Sequence, residues 1–276
     1  MATIIPPVFL MFAGPNGSGK STITQAFRDR GLFPANYVNA DDIAKTLAGS
    51  LEEIGYQAAQ MAEVKRQELM QQRQSLAFET VMSHPSKLAL LEQANALGYR
   101  VMLVFVGTNN PHINVERVAL RVRQGGHDVP IDKIIARYDR TLQLLPKAVE
   151  LAQVAYIFDN SQMAELMLQA IDGALNILKQ PLPNWIETGL ILPHSQRSLA
   201  RQAIQTFADE QNLELELASL LKASYVGEVV TIDRYYGLQL VDGKAIVHDL
   251  SIVKLPQPSS SVIEVSYDNG VAAVRS

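Results

Sequence analysis

The sequence predicts an α/β fold, a parallel sheet flanked by helices, followed by a small β-rich (α+β) domain. Three observations carry this expectation. Gly14-Pro15-Asn16-Gly17-Ser18-Gly19-Lys20-Ser21 fits G-x-x-x-x-G-K-[ST], a phosphate-cradling loop that belongs between a strand and a helix. Strand-length apolar runs alternate with helix-length segments as far as residue 178. Beyond Gln180-Pro181-Leu182-Pro183-Asn184 the pattern changes to one helix and then short strands.

The elements follow in order. Val8-Phe9-Leu10-Met11-Phe12-Ala13 is an unbroken apolar run, and Thr22 to Arg28 has helical spacing, with Gly31 as its stop. Tyr37-Val38-Asn39-Ala40 reads as a short strand, residues 42–49 and 52–74 as helices, and Ser75 to Phe78 as a buried strand. Pro85 opens a helix that Gly98 ends, and Arg100 to Val106 is the strongest strand. Helices run from Asn114 to the Gly125-Gly126 break and from Pro130 to Ala152. Val154 to Phe158 is a fifth strand, and the reading gives a closing helix over 162–178. After the break come a helix over 195–222 and strands over 225–232, 235–240 and 244–248, with a hairpin at Val241-Asp242-Gly243. The stretch from Leu255 to Ser261 and the last residues read as either mobile or an added strand. The domains are therefore 1–179, a linker over 180–194, and a β-rich accessory domain over 195–276.

Composition narrows the class. Of 276 residues 47% are hydrophobic, enough for a real core and against disorder. The net charge of −4 supplies no global basic field, which weighs against nucleic acid as the main partner. The chain has no Cys, which excludes disulfides, thiolate metal sites and thiol nucleophiles and suits a cytoplasmic location. Residues 1–13 lack a basic leader pattern, and no apolar run has transmembrane length.

The chemistry-bearing residues fall where parallel strands end, the usual place for ligands in such sheets. In the loop, Gly14, Gly17 and Gly19 permit backbone that converges N–H groups on phosphate, together with Pro15, Asn16, Ser18 and Thr22. Lys20 is expected to reach the β- and γ-phosphates, and Ser21 to hold Mg²⁺. Asp41 and Asp42 follow the second strand, where a carboxylate can take a proton from a hydroxyl or can simply cap a helix. Asp41 is read as the base and Asp42 as the cap or a helper. Glu79-Thr80 suit a substrate hydroxyl, the surroundings of magnesium, or another cap. Arg117, Arg121 and Arg123 precede Gly125-Gly126-His127, and Arg137 and Arg140 follow it. Such arginines around a Gly-Gly hinge form a candidate lid over a transferring phosphoryl, or else a solvated or RNA-binding basic face. Tyr235-Tyr236 read as cross-strand packing rather than base stacking, and His248-Asp249 lacks an accompanying nucleophile.

Taken together, Ala13 to Thr22, Asn39-Ala40-Asp41, Phe78-Glu79-Thr80, Arg117 to Arg123, Gly125 to Pro130, Arg137-Tyr138 and Phe158 to Ser161 resemble the zeta toxin family of P-loop kinases over residues 5–178. The resemblance implies a P-loop kinase-like fold and an ATP- and Mg²⁺-dependent kinase, whose best-known members phosphorylate UDP-N-acetylglucosamine. It implies Asp41 as catalytic base, Lys20 and Arg121 as phosphoryl-stabilising cations, and Asn39, Glu79 and Thr80 at the substrate. His127 stands where the best-known toxins carry a second lid arginine. An antitoxin protein is an implied partner. The C-terminal strands resemble a KfrB-type domain of plasmid-associated proteins. Two other functions compete: a nucleotide-switched regulatory module, and a kinase directed at nucleic acid. Strand 101–106 ends at Gly107 without a Walker-B acid, which argues against a motor ATPase.

Overall fold

The computed structural model describes residues 5–126 and 128–276. Among these, two sheets form. The first holds β1 (Val8–Ala13), β2 (Asn36–Val38), β3 (Leu76–Thr80), β4 (Arg100–Gly107), β5 (Val154–Asp159), β6 (Glu165–Ile171) and β7 (Ala174–Ile177), in the order β2-β3-β1-β4-β5-β6-β7. The first five strands pair in parallel, so their C-terminal ends share one edge. The helices between them are α1 (Lys20–Asp29), α2 (Ala40–Ala44), α3 (Leu51–Gln71), α4 (Ser86–Ala96), α5 (Pro111–Arg123) and α6 (Ile131–Leu151). Strand alternation sorts β1 onto two faces. Phe9 and Met11 pack with Leu69 and Met70 of α3, Leu91 of α4 and Leu145 of α6. Leu10 and Phe12 pack with Ile23 and Phe27 of α1 on the other face.

The expected closing helix over 162–178 is instead the β6–β7 hairpin. Asp172 and Gly173 take φ of 48° and 79°, the positive pair that a two-residue hairpin turn needs. The Leu, Met, Gln and Ala of this stretch favour helix individually. Pairing β6 antiparallel to β5 wins because it covers what would otherwise be a bare sheet edge.

The stretch read as a linker is helical from Asn184 onward. α7 (Asn184–Ile186), a π-helical turn (Glu187–Ile191) and α8 (Leu192–Glu210) run on from one another. Trp185, Ile186 and Leu190 are buried in the main core, which a linker could not achieve. The helix read as 195–222 stops at Glu210, where Asn212 turns the chain with φ of 53°. The second sheet then forms from β8 (Glu214–Leu217), β9 (Ala223–Ile232), β10 (Tyr236–Val241), β11 (Lys244–Asp249), β12 (Val262–Asp268) and β13 (Val271–Arg275), ordered β13-β12-β9-β10-β11-β8. The Asp242-Gly243 hairpin lies where expected, and the C-terminal residues add a second hairpin through Asn269-Gly270.

The two parts are joined by charge as well as by apolar packing. Arg197 of α8 donates from Nε to Glu150 Oε1 of α6 at 2.7 Å and from Nη2 to Asp249 Oδ2 of β11 at 2.6 Å. Arg201 Nη2 reaches Glu150 Oε2 at 3.1 Å and the Tyr236 hydroxyl at 3.2 Å. Both guanidinium groups lie over the Tyr236 ring, which accounts for that tyrosine as packing. His248 is likewise internal, held between the Tyr267 hydroxyl at 2.8 Å and Gln239 Oε1 at 3.0 Å. Burial pushes its imidazole down to about 4, so it is neutral at physiological pH.

Burial alone would raise the Glu150 and Asp249 carboxyls, but Arg197 outweighs it and both end below their usual range. Their folded values are depressed, so their contribution to stability is present above the unfolded values and is lost as pH falls below about 4. Replacing Arg197 by Met leaves buried Asp249 without its guanidinium and Glu150 with Arg201 and Lys147 only. We expect a loss of about 3–5 kcal/mol near neutral pH, shrinking under acid, measured by urea unfolding at a series of pH values.

Candidate phosphate-binding and phosphotransfer site

The site is built from the sheet edge upward. β1 ends at Ala13, and the loop to α1 carries Gly14, Gly17 and Gly19 at φ of 148°, 74° and 90°. Side chains are excluded by contact as well as by φ. A Cβ on Gly14 would lie 2.1 Å from the Val106 carbonyl, one on Gly17 2.5 Å from the Asn114 carbonyl, and one on Gly19 2.2 Å from Asn160 Nδ2.

Two neighbouring elements hold the loop's carbonyls from outside. Asn114 of α5 donates to the Asn16 carbonyl at 2.7 Å, and Asn160, just past β5, donates to the Ser18 carbonyl at 2.8 Å. A trans peptide places N–H opposite C=O, so each outward carbonyl turns the next residue's N–H inward. By that geometry Gly17 and Gly19 N–H lie on the side opposite Asn114 and Asn160, next to the start of α1, whose end is positive. Asn114 is fixed in turn by the Thr108 hydroxyl, and Tyr138 of α6 donates to the Thr108 carbonyl at 2.5 Å. Burial drives the Tyr138 phenol up to about 12, so it remains a donor.

Lys20 donates to the Gly14 and Pro15 carbonyls at 2.8 and 2.9 Å. Burial pushes its ammonium down to about 8, with Glu79 pulling up, Arg121 down and Asp41 up. Those four side chains therefore share one electrostatic site. Glu79, at the end of β3, accepts from the Ser21 hydroxyl at 2.9 Å and from the Tyr37 hydroxyl at 2.8 Å. Burial and the Glu79 carboxylate raise the Tyr37 phenol further.

The remaining candidates divide. Asn39 caps α2, its Oδ1 accepting from Asp41 N at 2.9 Å, and its amide reaches Tyr37. Asp41 is thus relieved of capping and stands exposed at the start of α2, while Asp42 pairs with Lys45 at 2.7 Å and is not the cap. Thr80 accepts from Met82 N at 3.2 Å. Arg117 grips the carbonyls of Asn160 and Ser161 at 2.7 and 3.3 Å, so it braces the rear of the loop. Arg137 reaches Asn16 Oδ1 at 3.3 Å, while Arg123 and Arg140 are exposed. Gly126 lies against Arg121, where a Cβ would meet its Cγ at 2.6 Å. His127 lies outside the described residues.

The residues present suit magnesium nucleotide. Three glycines at positive φ let the loop pack where any Cβ would strike Val106, Asn114 or Asn160, and the buried Ser18 hydroxyl has no hydrogen-bond partner. Ser21 and Glu79 offer hard oxygen donors of the kind Mg²⁺ takes alongside water and phosphate. No cluster of three or more His, Cys, Asp or Glu suited to a metal occurs among the described residues.

The zeta toxin family model matches residues 2–172. The chain belongs to the zeta toxin family. Residues 224–276 match the KfrB Domain model. The chain is similar to an uncharacterised protein of Haemophilus influenzae, 27% identical over 137 residues, 47% of this chain and 91% of that protein. The fold is similar to the crystal structure of AvrRxo1-ORF1:AvrRxo1-ORF2 with sulphate ions, at TM-score 0.52 and 14% identity over 63% of this chain and 62% of that one. The same complex crystallised with ATP gives TM-score 0.52 and 14% identity over 63% and 61%. The match thus spans less than two thirds of those structures. Zeta toxin membership and the P-loop kinase-like fold support nucleotide-dependent phosphotransfer. No helix among the described residues is long and apolar enough to cross a membrane.

Sequence reasoning missed Asn114, Tyr37 and Trp185. Asn114 is fully buried despite being polar. Its replacement by Ala would leave the Asn16 carbonyl without its donor. We expect a cost of about 1–3 kcal/mol and a fall in Tm of several degrees, measured by thermal unfolding.

Proposed function

We propose that the chain is a kinase that moves the γ-phosphoryl group of MgATP to a hydroxyl of a small molecule. The family resemblance favours a nucleotide sugar such as UDP-N-acetylglucosamine as acceptor. The carrying observation is the glycine loop itself, with Lys20 held on the Gly14 and Pro15 carbonyls and Ser21 hydrogen-bonded to Glu79 at 2.9 Å at the end of the neighbouring strand. MgATP, when bound, supplies the phosphoryl group and the metal charge that offsets its oxygens.

The chain's own groups supply the rest. Gly17 and Gly19 N–H and the Lys20 ammonium bind phosphate oxygens, and Ser21 with Glu79 holds the magnesium. Asp41, clear of capping duty, takes the proton of the acceptor hydroxyl. Arg121, at the end of α5, stabilises the charge that develops on the phosphoryl oxygens. Asn39 and Thr80 border the acceptor, and Arg123, Arg137, Arg140 and His127 complete the lid region. An inhibitory antitoxin protein and a cytoplasmic setting accompany this proposal.

Asp41→Asn should lower kcat by about 10²–10⁴-fold while leaving MgADP affinity within about threefold, read with γ-labelled ATP and a panel of nucleotide sugars. Turnover like that of the wild type would remove Asp41 from the mechanism. Lys20 gives a second test. Phosphate oxygens raise the value of an ammonium that burial holds at about 8. MgADP binding should therefore take up little proton near pH 6.5 and approach one proton near about pH 8.5. Calorimetry in buffers of different ionisation enthalpy measures this, and uptake that stays flat across the range contradicts it.

A further inference from the structure

Trp185 lies beyond the zeta toxin match and before the KfrB match, yet it reaches the phosphate loop through a short chain of contacts. It is the only tryptophan and is 2% exposed. Its ring tilts against Phe105 with centroids 5.8 Å apart. Gly107, at the end of β4, makes room for it: a Cβ there would lie 2.5 Å from Trp185 Cη2. Packing of that kind needs no polar atom. The indole Nε1 nevertheless donates to Asp159 Oδ1 at 2.7 Å.

Asp159 is the last residue of β5 and organises the turn that follows. Its Oδ1 also accepts from Ser161 Oγ at 2.7 Å, and its Oδ2 accepts from Ser161 N at 3.3 Å. This closes an Asx turn around Asn160, whose own N–H is held by the Gly107 carbonyl at 2.8 Å. The Asn160 side chain then donates at 2.8 Å to the Ser18 carbonyl, the oxygen of the peptide whose N–H belongs to Gly19.

We infer that Trp185 is a positioning residue for the nucleotide: its indole N–H orients Asp159, whose turn places the Asn160 amide that aims Gly19 N–H. The catalytic unit therefore extends past residue 172 into the segment that leads to the C-terminal sheet. The inference rests on the nucleotide-binding part of the proposed function and not on the identity of the acceptor. The side chain touches neither the phosphates nor the reacting atoms, so the effect appears in nucleotide affinity rather than in the chemical step.

The test replaces Trp185 in the full-length chain by 3-benzothienylalanine, which keeps the ring's shape and deletes only the N–H. MgADP affinity is measured by calorimetry at a temperature where circular dichroism shows wild type and variant equally folded. We expect affinity to fall about tenfold, as for loss of a hydrogen bond to a charged group. Where turnover is measurable, KM for MgATP should rise with kcat within about threefold. Asn160→Ala should weaken affinity similarly, and combining both changes should add little further, because they act through one contact chain. Unchanged MgADP affinity, with or without a lower Tm, makes Trp185 merely structural and overturns the inference. Full additivity with Asn160→Ala overturns the route through Asp159. A wild-type chain that binds no MgADP defeats the inference together with the proposed function. Tight MgADP binding without transfer to any acceptor defeats only the kinase reading and leaves the Trp185 comparison decisive.

Discussion

The site depends on the direction of two peptide carbonyls. Asn16 and Ser18 point their oxygens away from the cradle because Asn114 and Asn160 hold them there. Planarity of the trans peptide then directs the following N–H groups inward, and Lys20 draws the Gly14 and Pro15 carbonyls to its own ammonium. The glycines permit this shape, but permission is not selection. A flexible loop would spend binding energy on ordering itself, whereas this one is held by side chains from α5 and from the turn after β5. Preorganised dipoles of this kind act on developing charge without reorganising when it appears.

The first sheet was legible because its strands are continuous apolar runs and its polar residues cluster at strand ends. Asp41 and Glu79 could be placed near the loop that way, since a parallel sheet gathers its C-terminal ends on one edge whatever the sequence separation. The side chains that brace the loop were not legible. Asn114 meets Asn16 across 98 residues, and Asn160 meets Ser18 across 142. No local pattern encodes such a pairing, and an Asn on a helix reads as a surface residue until the fold buries it. Arg117 looked like part of a lid because spacing reports which residues share a helix face and not what that face meets.

The misread segments have a common physical cause. Residues 165–177 are rich in helix-forming side chains, yet an available strand edge and an Asp-Gly turn outweighed that propensity. Pro181 and Pro183 made the region after 180 look like a spacer, although a proline is also at home just before a helix begins. Trp185 was the neglected signal there. A lone tryptophan beside two prolines has a large apolar surface to bury, and the space above Gly107 takes it.

Attachment of the C-terminal part also anchors the helices on either side of Gly125-Gly126. The C-terminal end of α6 is pinned by Glu150 to two arginines of α8, and Arg197 continues to Asp249 of the second sheet. Its N-terminal half is tied to the loop region through Tyr138 and Arg137. The first half of α5 is tied as well, through Asn114 and Arg117. Closing motion cannot rotate either helix as a whole without breaking buried polar contacts worth more than a surface ion pair. The last turn of α5 carries Arg121 and Arg123, and at Gly125 a φ of 84° already departs from the helix. The second sheet, through α8, is thereby tied to the same helix, α6, whose Tyr138 supports the Thr108–Asn114 brace of the loop.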